Sequence, residues 1–507
     1  MRWPASNAAR GVLLLLGLLI AARLAAMGLL PLMDTTEARY AEIGRKMVER
    51  WDWITPWADD GMPFWAKPPL SFWLTALSFK LFGINEFAAR LPHFLCTAGV
   101  AGLTWRLAVR RSDTQGWLVL CLLVGSTLFY VSSGAVMTDA ALVLGTTLAM
   151  AGFWGGLHGP AAQRQRERWW LFAGIAIGVL AKGPVALILI GLPLLGWTVI
   201  QRRAHAVWRA FAWTAGTTLV ALLVVPWFVL AEWRTPGFLR YFLIGEHWHR
   251  FVTPGWQGDL YGTAHRYPPG TIWLFAAVAL LPWSLLLPAA AWYRRGKPQP
   301  PGEATPDRSW QLYLLAWGLA PLLFFSAARN IIWTYVLPGV PALALLAAQA
   351  LDRFPAPTRQ RLLLAGLTLT LLGGLAFVFQ LEGSNAAEQR SAKSLVAAYD
   401  RQHAADQPLV YIGTRPFSAA FYSRGRAARS ESVARFAAAL PSTVVYVAIR
   451  ADHTAELKAL ASMRIDSVAR YGLHDLVRLV HVAAAPAPVP DESAAPQVPA
   501  PSPSGRP

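Results

Sequence analysis

The chain has 507 residues, 55% hydrophobic and only 15% charged, with a mean hydropathy of +0.37. Soluble globular domains carry about a quarter charged residues, so this composition excludes an ordinary soluble globule and points to a polytopic α-helical membrane protein. The net charge of +18 is read as basic loops and solvated surface, with no nucleic acid as partner. Cys96 and Cys121 both lie in apolar runs and imply no disulfide framework.

Taken in chain order, Arg2 and Arg10 precede an apolar run at 11–32. It is longer than a signal-peptide core and long enough to span a bilayer, so it is read as an uncleaved first span. Further apolar runs at 88–109, 116–132, 136–157, 169–182, 184–201, 210–231, 270–293, 310–327, 333–351 and 361–381 bring the expected number of spans to about eleven, with a ceiling of about thirteen. Every second loop is basic: Arg110-Arg111; Arg164, Arg166 and Arg168; Arg202-Arg203 and Arg209; Arg294-Arg295 and Lys297; Arg353, Arg359 and Arg361. The positive-inside rule then puts the N-terminus in the cytoplasm and the C-terminal region outside.

The expected transmembrane domain covers 1–382, with two long outer loops at 33–87 and 232–269. In the first, Thr36 to Trp51 has helical spacing, with Tyr40, Ile43, Met47 and Trp51 on one stripe and Glu42, Arg45, Lys46 and Glu49 elsewhere. This predicts an amphipathic helix lying on the membrane surface, with Lys46 and Arg50 facing anionic headgroups. A turn at Asp59-Asp60-Gly61-Met62-Pro63 and a second helix from Pro68 to Phe82, ended by Gly83, follow. Residues 383–482 change character. Strand-length apolar runs at Leu409–Ile412, Val444–Ile449 and Leu476–Val482 alternate with helix-like stretches at 416–423, 431–440 and 453–461, predicting a small outer α/β domain. The Pro/Ala-rich 483–507 reads as a disordered tail.

Charge is rare in this chain, and the exceptions converge. Asp34, Glu37, Arg39, Lys67, Asp139, Lys182, His247, His249, His265 and Arg329 all fall at the outer ends of spans or in outer loops. Membrane enzymes place polar chemistry there without putting charge into hydrocarbon. Two roles are open to Asp34 and Glu37. Asp-x-x-Glu before a periodic segment is a capping box, and a carboxylate at that place can also orient an incoming nucleophile or accept its proton. Asp139, after Thr138 at the start of a span, carries the same two readings. Lys67, stiffened between Trp65 and Pro68-Pro69, forms with Arg39 a phosphate site. Lys182-Gly183-Pro184 breaks two apolar runs, and a lysine there either snorkels or serves a site. His247-Trp248-His249 is a surface pair or a weak metal signal. Arg329-Asn330, with Tyr335 and Pro338 downstream, adds a further cation.

These residues sit in segments that resemble the aminoarabinose transferase family, GT-C glycosyltransferases related to protein O-mannosyltransferases. The segments are TTEARYAEIGRKM and DWITP, WAKPPLSFWL, LFG, AARLPHF, MTDAAL, LAKGPVAL, EHWHRF, PWSLLLP and FFSAARNIIWTYVLPGVPALALL, in order from about residue 33 to 350. The resemblance implies a GT-C fold with a small outer domain and a cavity roofed by the first outer loop. It implies an undecaprenyl- or other polyprenyl-phosphate sugar as donor, with inversion at the anomeric carbon. As acceptor it implies a phosphate of lipid A or another envelope component, in the bacterial inner membrane. Carried over, Glu37, Arg39, Tyr40, Lys67, Asp139, Lys182, His247 and Tyr335 match its motifs. Two positions depart from the family. Thr36 stands where the family has Asp, leaving Asp34 as the nearest stand-in, and Ala66 stands where it has Glu before Lys-Pro. The second departure weakens any metal shared with the loop histidine, so no cofactor is expected to be required.

The combined expectation assigns Asp34, Glu37, Lys67 and Asp139 to catalysis. Arg39, Lys67, Lys182 and Arg329 hold the donor phosphate, and Tyr40, His247 and Tyr335 line the cavity. The alternatives are transfer to protein hydroxyls or to another envelope glycan and, from a different class, a transporter. Transporters place charge near the midplane of broken, repeated helices, whereas these charges sit at span ends and no repeat is visible.

Overall fold

The computed structural model describes residues 7–262, 265, 267–293, 307–404, 406–439, 444–460 and 463–481. The tail expected at 483–507 and the basic Arg294-Arg295-Lys297 loop lie outside the described residues.

The chain divides into two compact units, Met1–Lys393 with Pro416–Arg424, and Ser394–Arg415 with Gly425–Pro507. The first is helical. It opens with α1 (Asn7–Leu29), α2 (Thr36–Arg50), a small hairpin of β1 (Trp57–Asp59) and β2 (Met62–Pro63), and α3 (Leu70–Phe82). It continues through α4 (Glu86–Val109), α5 (Asp113–Val124), α6 (Thr127–Ser132), α7 (Thr138–His158), α8 (Ala161–Lys182) and α9 (Val185–Ile200). Each of the eleven apolar runs of the sequence coincides with a helix or a broken helix pair. By length and apolarity six helices among the described residues qualify as membrane-crossing, or seven when Thr271–Ala279 and Trp283–Tyr293, bent by 83°, count as one span. The difference from about eleven has local causes. The helix α8 begins with Arg164, Arg166, Glu167 and Arg168, α4 contains Glu86, Arg90 and Arg106, and α5 and α9 are short.

The pairing of α7 with α8 positions the chemistry. A Cβ on Gly145 would stand 2.6 Å from the Gly178 nitrogen, and one on Gly174 would stand 2.4 Å from the Ala149 nitrogen. Small residues let two backbones approach this closely, the usual device for packing helices in lipid. The approach brings the start of α7, with Asp139, against the end of α8, with Lys182.

The first loop differs from its expected surface-lying form. The helix α2 forms where its spacing predicts, yet Glu42, Arg45 and Lys46 on its polar side are buried, while Trp51 from its apolar stripe is 65% exposed. Buried charge survives because it is paired. Arg45 makes two 2.6 Å bonds to Glu42 and a third to Glu49, and Lys46 lies 3.4 Å from Asp59. Lys46 and Arg50 therefore face Asp59 and Asp60 of the hairpin rather than lipid headgroups.

The second unit holds a five-stranded sheet ordered β4-β3-β5-β7-β6: Ala428–Ser430, Leu409–Ile412, Val445–Arg450, His474–His481 and Met463–Tyr471. The strand β3 runs parallel to β4 and β5, while β7 is antiparallel to β5 and β6. Three of these strands match the apolar runs of the sequence. The strands β4 and β6 were not anticipated. They are the sheet edges and mostly exposed, and a register shift between Ile465 and Ser467 breaks the alternation of β6. The helix Phe417–Tyr422, from the middle of this region, belongs to the first unit.

Candidate active site

A cavity of about 300 Å³ opens where the ends of α7 and α8 meet the start of α9, the 241–251 segment and the 324–338 segment. Its polar end is built from Lys67, Asp139, Lys182, Glu246, Arg250 and Asn330. Its walls are apolar and aromatic, including Ile188, Leu189, Leu243, Phe251 and Phe324. A space with cations at one end and hydrocarbon elsewhere has the polarity of an amphiphile with an anionic head.

Lys182 ends α8. Its Nζ donates to Asp139 Oδ1 at 2.7 Å and stands 4.9 Å from the centroid of the Tyr335 ring. The turn that follows requires glycine: Gly183 has φ +77, and a Cβ there would fall 2.4 Å from Phe242 Cζ. His247 locks the same turn. Its Nδ1 lies 2.7 Å from the Phe242 carbonyl oxygen and its Nε2 3.3 Å from that of Lys182. Burial lowers the pKa of His247, with the Phe242 carbonyl opposing the effect and nearby Lys67 adding to it. Both ring nitrogens face carbonyl oxygens, so this imidazole acts as a brace. His249 is exposed and stacks on Trp256, and His265 is exposed.

Glu246 and Arg250 lie four residues apart at the end of a π-helix, Tyr241–His249, a form common at functional sites. Glu246 accepts from Lys67 Nζ and receives Arg250 Nη1 at 3.0 and 2.9 Å, and Arg250 also meets Asp259 at 3.2 Å. Burial works against ionisation of Glu246, but Lys67 and Arg250 outweigh it and hold the carboxyl below its usual range. Every cation of the cavity is thus matched by a carboxylate. Asn330 is buried and donates to the carbonyls of Arg250 and Thr253, fixing the segment that carries Arg250.

Of the residues singled out in the sequence, Lys67, Asp139, Lys182, His247 and Tyr335 line the cavity. Asp34, Glu37, Arg39, Tyr40 and Arg329 do not. Asp34 accepts hydrogen bonds from the backbone N of Ser418 at 3.1 Å and from its hydroxyl, while burial, opposed by those bonds, raises its pKa. No side-chain cap closes α2, so the capping-box geometry is not formed. Glu37 instead pairs with Arg90, at 2.8 and 3.2 Å, and accepts Val136 N at 3.2 Å. Burial opposes its ionisation, and Arg90 prevails and lowers its pKa. Arg39 lies over Phe64 and Phe417 and donates to the carbonyl of Tyr261. Tyr261 in turn donates its hydroxyl to Pro63 O at 2.6 Å and accepts Trp65 N at 3.0 Å, and burial pushes its pKa up to about 12. Arg39 therefore acts through Tyr261 on the loop, from Pro63 to Trp65, that leads to Lys67. Tyr40 is buried, edge-on to Phe64 and Phe72. Arg329 is exposed, and its neighbour Asn330 is the residue that faces the cavity.

Glu246, Arg250 and Asn330 escaped the sequence reading as candidates. A signal existed in Glu-His-Trp-His-Arg, where Glu and Arg four apart share one side of a helix; the two histidines drew attention away from it. Among the described residues no group of three or more His, Cys, Asp or Glu is placed to hold a metal ion.

Residues 16–242 match the family described as dolichyl-phosphate-mannose-protein mannosyltransferase. The undecaprenyl phosphate-alpha-4-amino-4-deoxy-L-arabinose arabinosyl transferase of Edwardsiella ictaluri is 33% identical over 359 residues, 68% of this chain and 61% of that protein. The enzyme of the same name from Pseudomonas aeruginosa is 33% identical over 357 residues, again 68% and 61%. The matched region thus spans less than two thirds of these relatives' length. The structure of ArnT from Cupriavidus metallidurans bound to undecaprenyl phosphate superposes with a TM-score of 0.75 at 21% identity, covering 92% of this chain and 97% of that one. The fold is the same.

Proposed function

Because this chain has the ArnT-like GT-C fold and is related in sequence to the aminoarabinose and protein mannosyl transferases, we propose that it is an integral-membrane glycosyltransferase. It moves a sugar from a polyprenyl-phosphate donor, most simply undecaprenyl phosphate, to a phosphate of lipid A. The observation that carries this reading is the amphipathic cavity, three cations at its head and apolar walls beyond. It sits in the bacterial inner membrane with the N-terminus cytoplasmic and the site and C-terminal domain periplasmic, a sidedness supported by the alternation of basic loops.

In this reading the anomeric carbon–oxygen bond of the donor breaks and its electron pair stays on the departing polyprenyl phosphate. An acceptor phosphate oxygen forms the new bond. Lys67, Lys182 and Arg250 offset the charge that grows on the leaving phosphate, the kind of preorganised electrostatics that supplies most of a rate enhancement. An ionised phosphate acceptor needs no strong base, so Asp139 holds Lys182 and orients the acceptor. Asp34, Glu37 and Arg39 are positioning residues for the loop that presents Lys67. The transfer is metal-independent, with those three cations doing the work of charge neutralisation.

The test incubates purified protein with undecaprenyl-phosphate aminoarabinose and lipid A and reads the products by mass spectrometry. Lipid A heavier by one aminopentose supports the reading. A second reading, transfer to Ser/Thr hydroxyls, is favoured by the mannosyltransferase match at 16–242. A glycosylated acceptor peptide in a parallel reaction, with lipid A unchanged, would move the acceptor there.

A further inference from the structure

A separate cavity of about 200 Å³ lies at the other end of α7 and α8 from Asp139 and Lys182. Gly156, which packs against its walls, is about 25 Å along α7 from Asp139 at about 1.5 Å of rise per residue. The cavity forms between the first turns of α8 and the junction of two further helices, α10 (Ala204–Ala210) and α11 (Trp213–Arg234). Arg168 and Arg209 supply its cations, and Trp169, Phe172 and Phe211 its aromatic wall. Two glycines seat these side chains. A Cβ on Gly156 would stand 2.8 Å from Arg168 Cγ and 3.0 Å from Phe211 Cε1, and one on Gly216 would stand 2.2 Å from Phe172 Cζ. The walls close onto backbone that glycine alone leaves bare.

Its charge is uncompensated. Arg168 donates from Nε to the Gly156 carbonyl at 3.2 Å and from Nη1 to Gln165 Oε1 at 3.4 Å, both neutral groups. Arg209 is exposed, and among the described residues no carboxylate pairs with either arginine. The adjacent carboxylate, Glu167, is buried and already taken by Arg106 and Arg110. The Trp213 ring packs against Phe172 and Phe211, and its buried indole N–H has no acceptor. The catalytic cavity matches every cation with a carboxylate; this one holds two cations and a neighbouring N–H without an anion. Its surroundings are apolar. Trp208, next to Arg209, is 68% exposed, and α11, which leads away from the cavity, is buried over only 22% of its apolar window. A free phosphate would use the cations alone, whereas a phospholipid uses the cations and the apolar helix face together.

We propose that this cavity binds the phosphate of an anionic phospholipid from the leaflet opposite the catalytic cavity, with its acyl chains along α11. Basic pockets between spans recognise anionic headgroups, and an arginine fork holds two phosphate oxygens at once. The lipid is a resident ligand that ties the α10–α11 junction to the start of α8; it is not a substrate. The inference uses no residue of the catalytic cavity and stands apart from the transferase reading.

The experiment uses the full chain in nanodiscs of phosphatidylcholine containing a minority of phosphatidylglycerol, and native mass spectrometry reads the lipids that stay bound. Arg209→Gln removes an exposed cation, and Ala212→Trp fills the cavity while leaving both arginines. Arg361→Gln removes an exposed arginine of another basic loop that does not line the cavity. Wild type should retain phosphatidylglycerol in preference to phosphatidylcholine. Arg209→Gln and Ala212→Trp should lower that retention by about tenfold, the scale of one hydrogen bond to a charged group, and Arg361→Gln should keep it. A melt in pure phosphatidylcholine, expected to match wild type for Arg209→Gln, shows that the loss is not one of folding. Phosphatidylglycerol held equally by wild type and Arg209→Gln would overturn the proposal. Equal loss in Arg361→Gln would also overturn it, by making the attraction a property of the whole basic surface. Inorganic phosphate raising the Tm of wild type but not of Arg209→Gln, with no preference for phosphatidylglycerol, would assign the cavity to a soluble anion and refute the lipid.

Discussion

Replacing Lys67 by alanine separates chemistry from architecture. Glu246 loses one donor but keeps both bonds to Arg250, at 3.0 and 2.9 Å, and Arg250 keeps Asp259 at 3.2 Å. No carboxylate is left buried and unpaired, so the cost of about 3–5 kcal/mol that follows from orphaning a buried charge does not apply. Stability should fall by about 1 kcal/mol or less, the scale of a partly exposed pair. Activity should fall much further. Loss of one preorganised donor to a developing anion costs about 2.7–4 kcal/mol, or about 10²–10³ in kcat. Lys67→Arg should recover part of the rate, since it restores the charge with different reach. The assay is the initial rate of sugar transfer from a labelled donor by purified protein, alongside a thermal melt in the same detergent. A Lys67→Ala variant with wild-type Tm and a rate within about threefold of wild type would refute the reasoning, because a leaving-group contact cannot be worth so little.

Further outcomes follow from the same geometry. Glu246→Gln frees Lys67 and Arg250 from a competing anion, so undecaprenyl phosphate should bind about three- to tenfold more tightly while turnover slows; titration calorimetry beside steady-state rates checks both. Gly183→Ala forces a Cβ into a left-handed turn 2.4 Å from Phe242, and should lower Tm by the equivalent of about 1–3 kcal/mol and depress transfer with it. His247 has a folded-state pKa below its usual value, so the unfolded chain binds its proton more readily. Its contribution to stability is present above about pH 6.5 and is lost as pH falls through the lower folded value. Melts at pH 5 and 7.5 should differ more for wild type than for His247→Asn. Asp34→Asn should keep a near-normal rate, because the amide oxygen still accepts from Ser418, whereas Asp34→Ala should lower Tm. A rate collapse in Asp34→Asn with an unchanged melt would return Asp34 to the chemistry.

The helical layout was legible because apolar runs and basic loops obey the physics of the bilayer, and each expected run has its helix. Lys67, Asp139 and Lys182 were legible for a related reason. Charge at the end of an apolar run is expensive unless something uses it, and α7–α8 packing brings two of the three within 2.7 Å. Asp34, Glu37 and Arg39 share a segment with the right residue types, but their partners, Ser418, Arg90 and Tyr261, lie far away in sequence. Local pattern cannot report such pairing. The buried ion network of α2 was hidden likewise: Glu42, Arg45 and Lys46 carry the polar pattern of a solvated face, and their burial and the pairing of Lys46 with Asp59 and Asp60 of the hairpin come from the tertiary fold. Arg250 and Asn330 depend on a π-helix and on a chain crossing that no periodicity announces.

In the proposed reaction the cavity of Lys67, Lys182 and Arg250 holds the polyprenyl phosphate, so lipid binding should depend on these cations. Native mass spectrometry of the purified chain with undecaprenyl phosphate should show a bound lipid in wild type, its loss in Lys182→Ala and Lys67→Ala, and full retention in Arg329→Ala, whose side chain is exposed outside the cavity. Undecaprenyl phosphate lost in Arg329→Ala but kept in Lys67→Ala and Lys182→Ala would place the donor elsewhere and contradict the account.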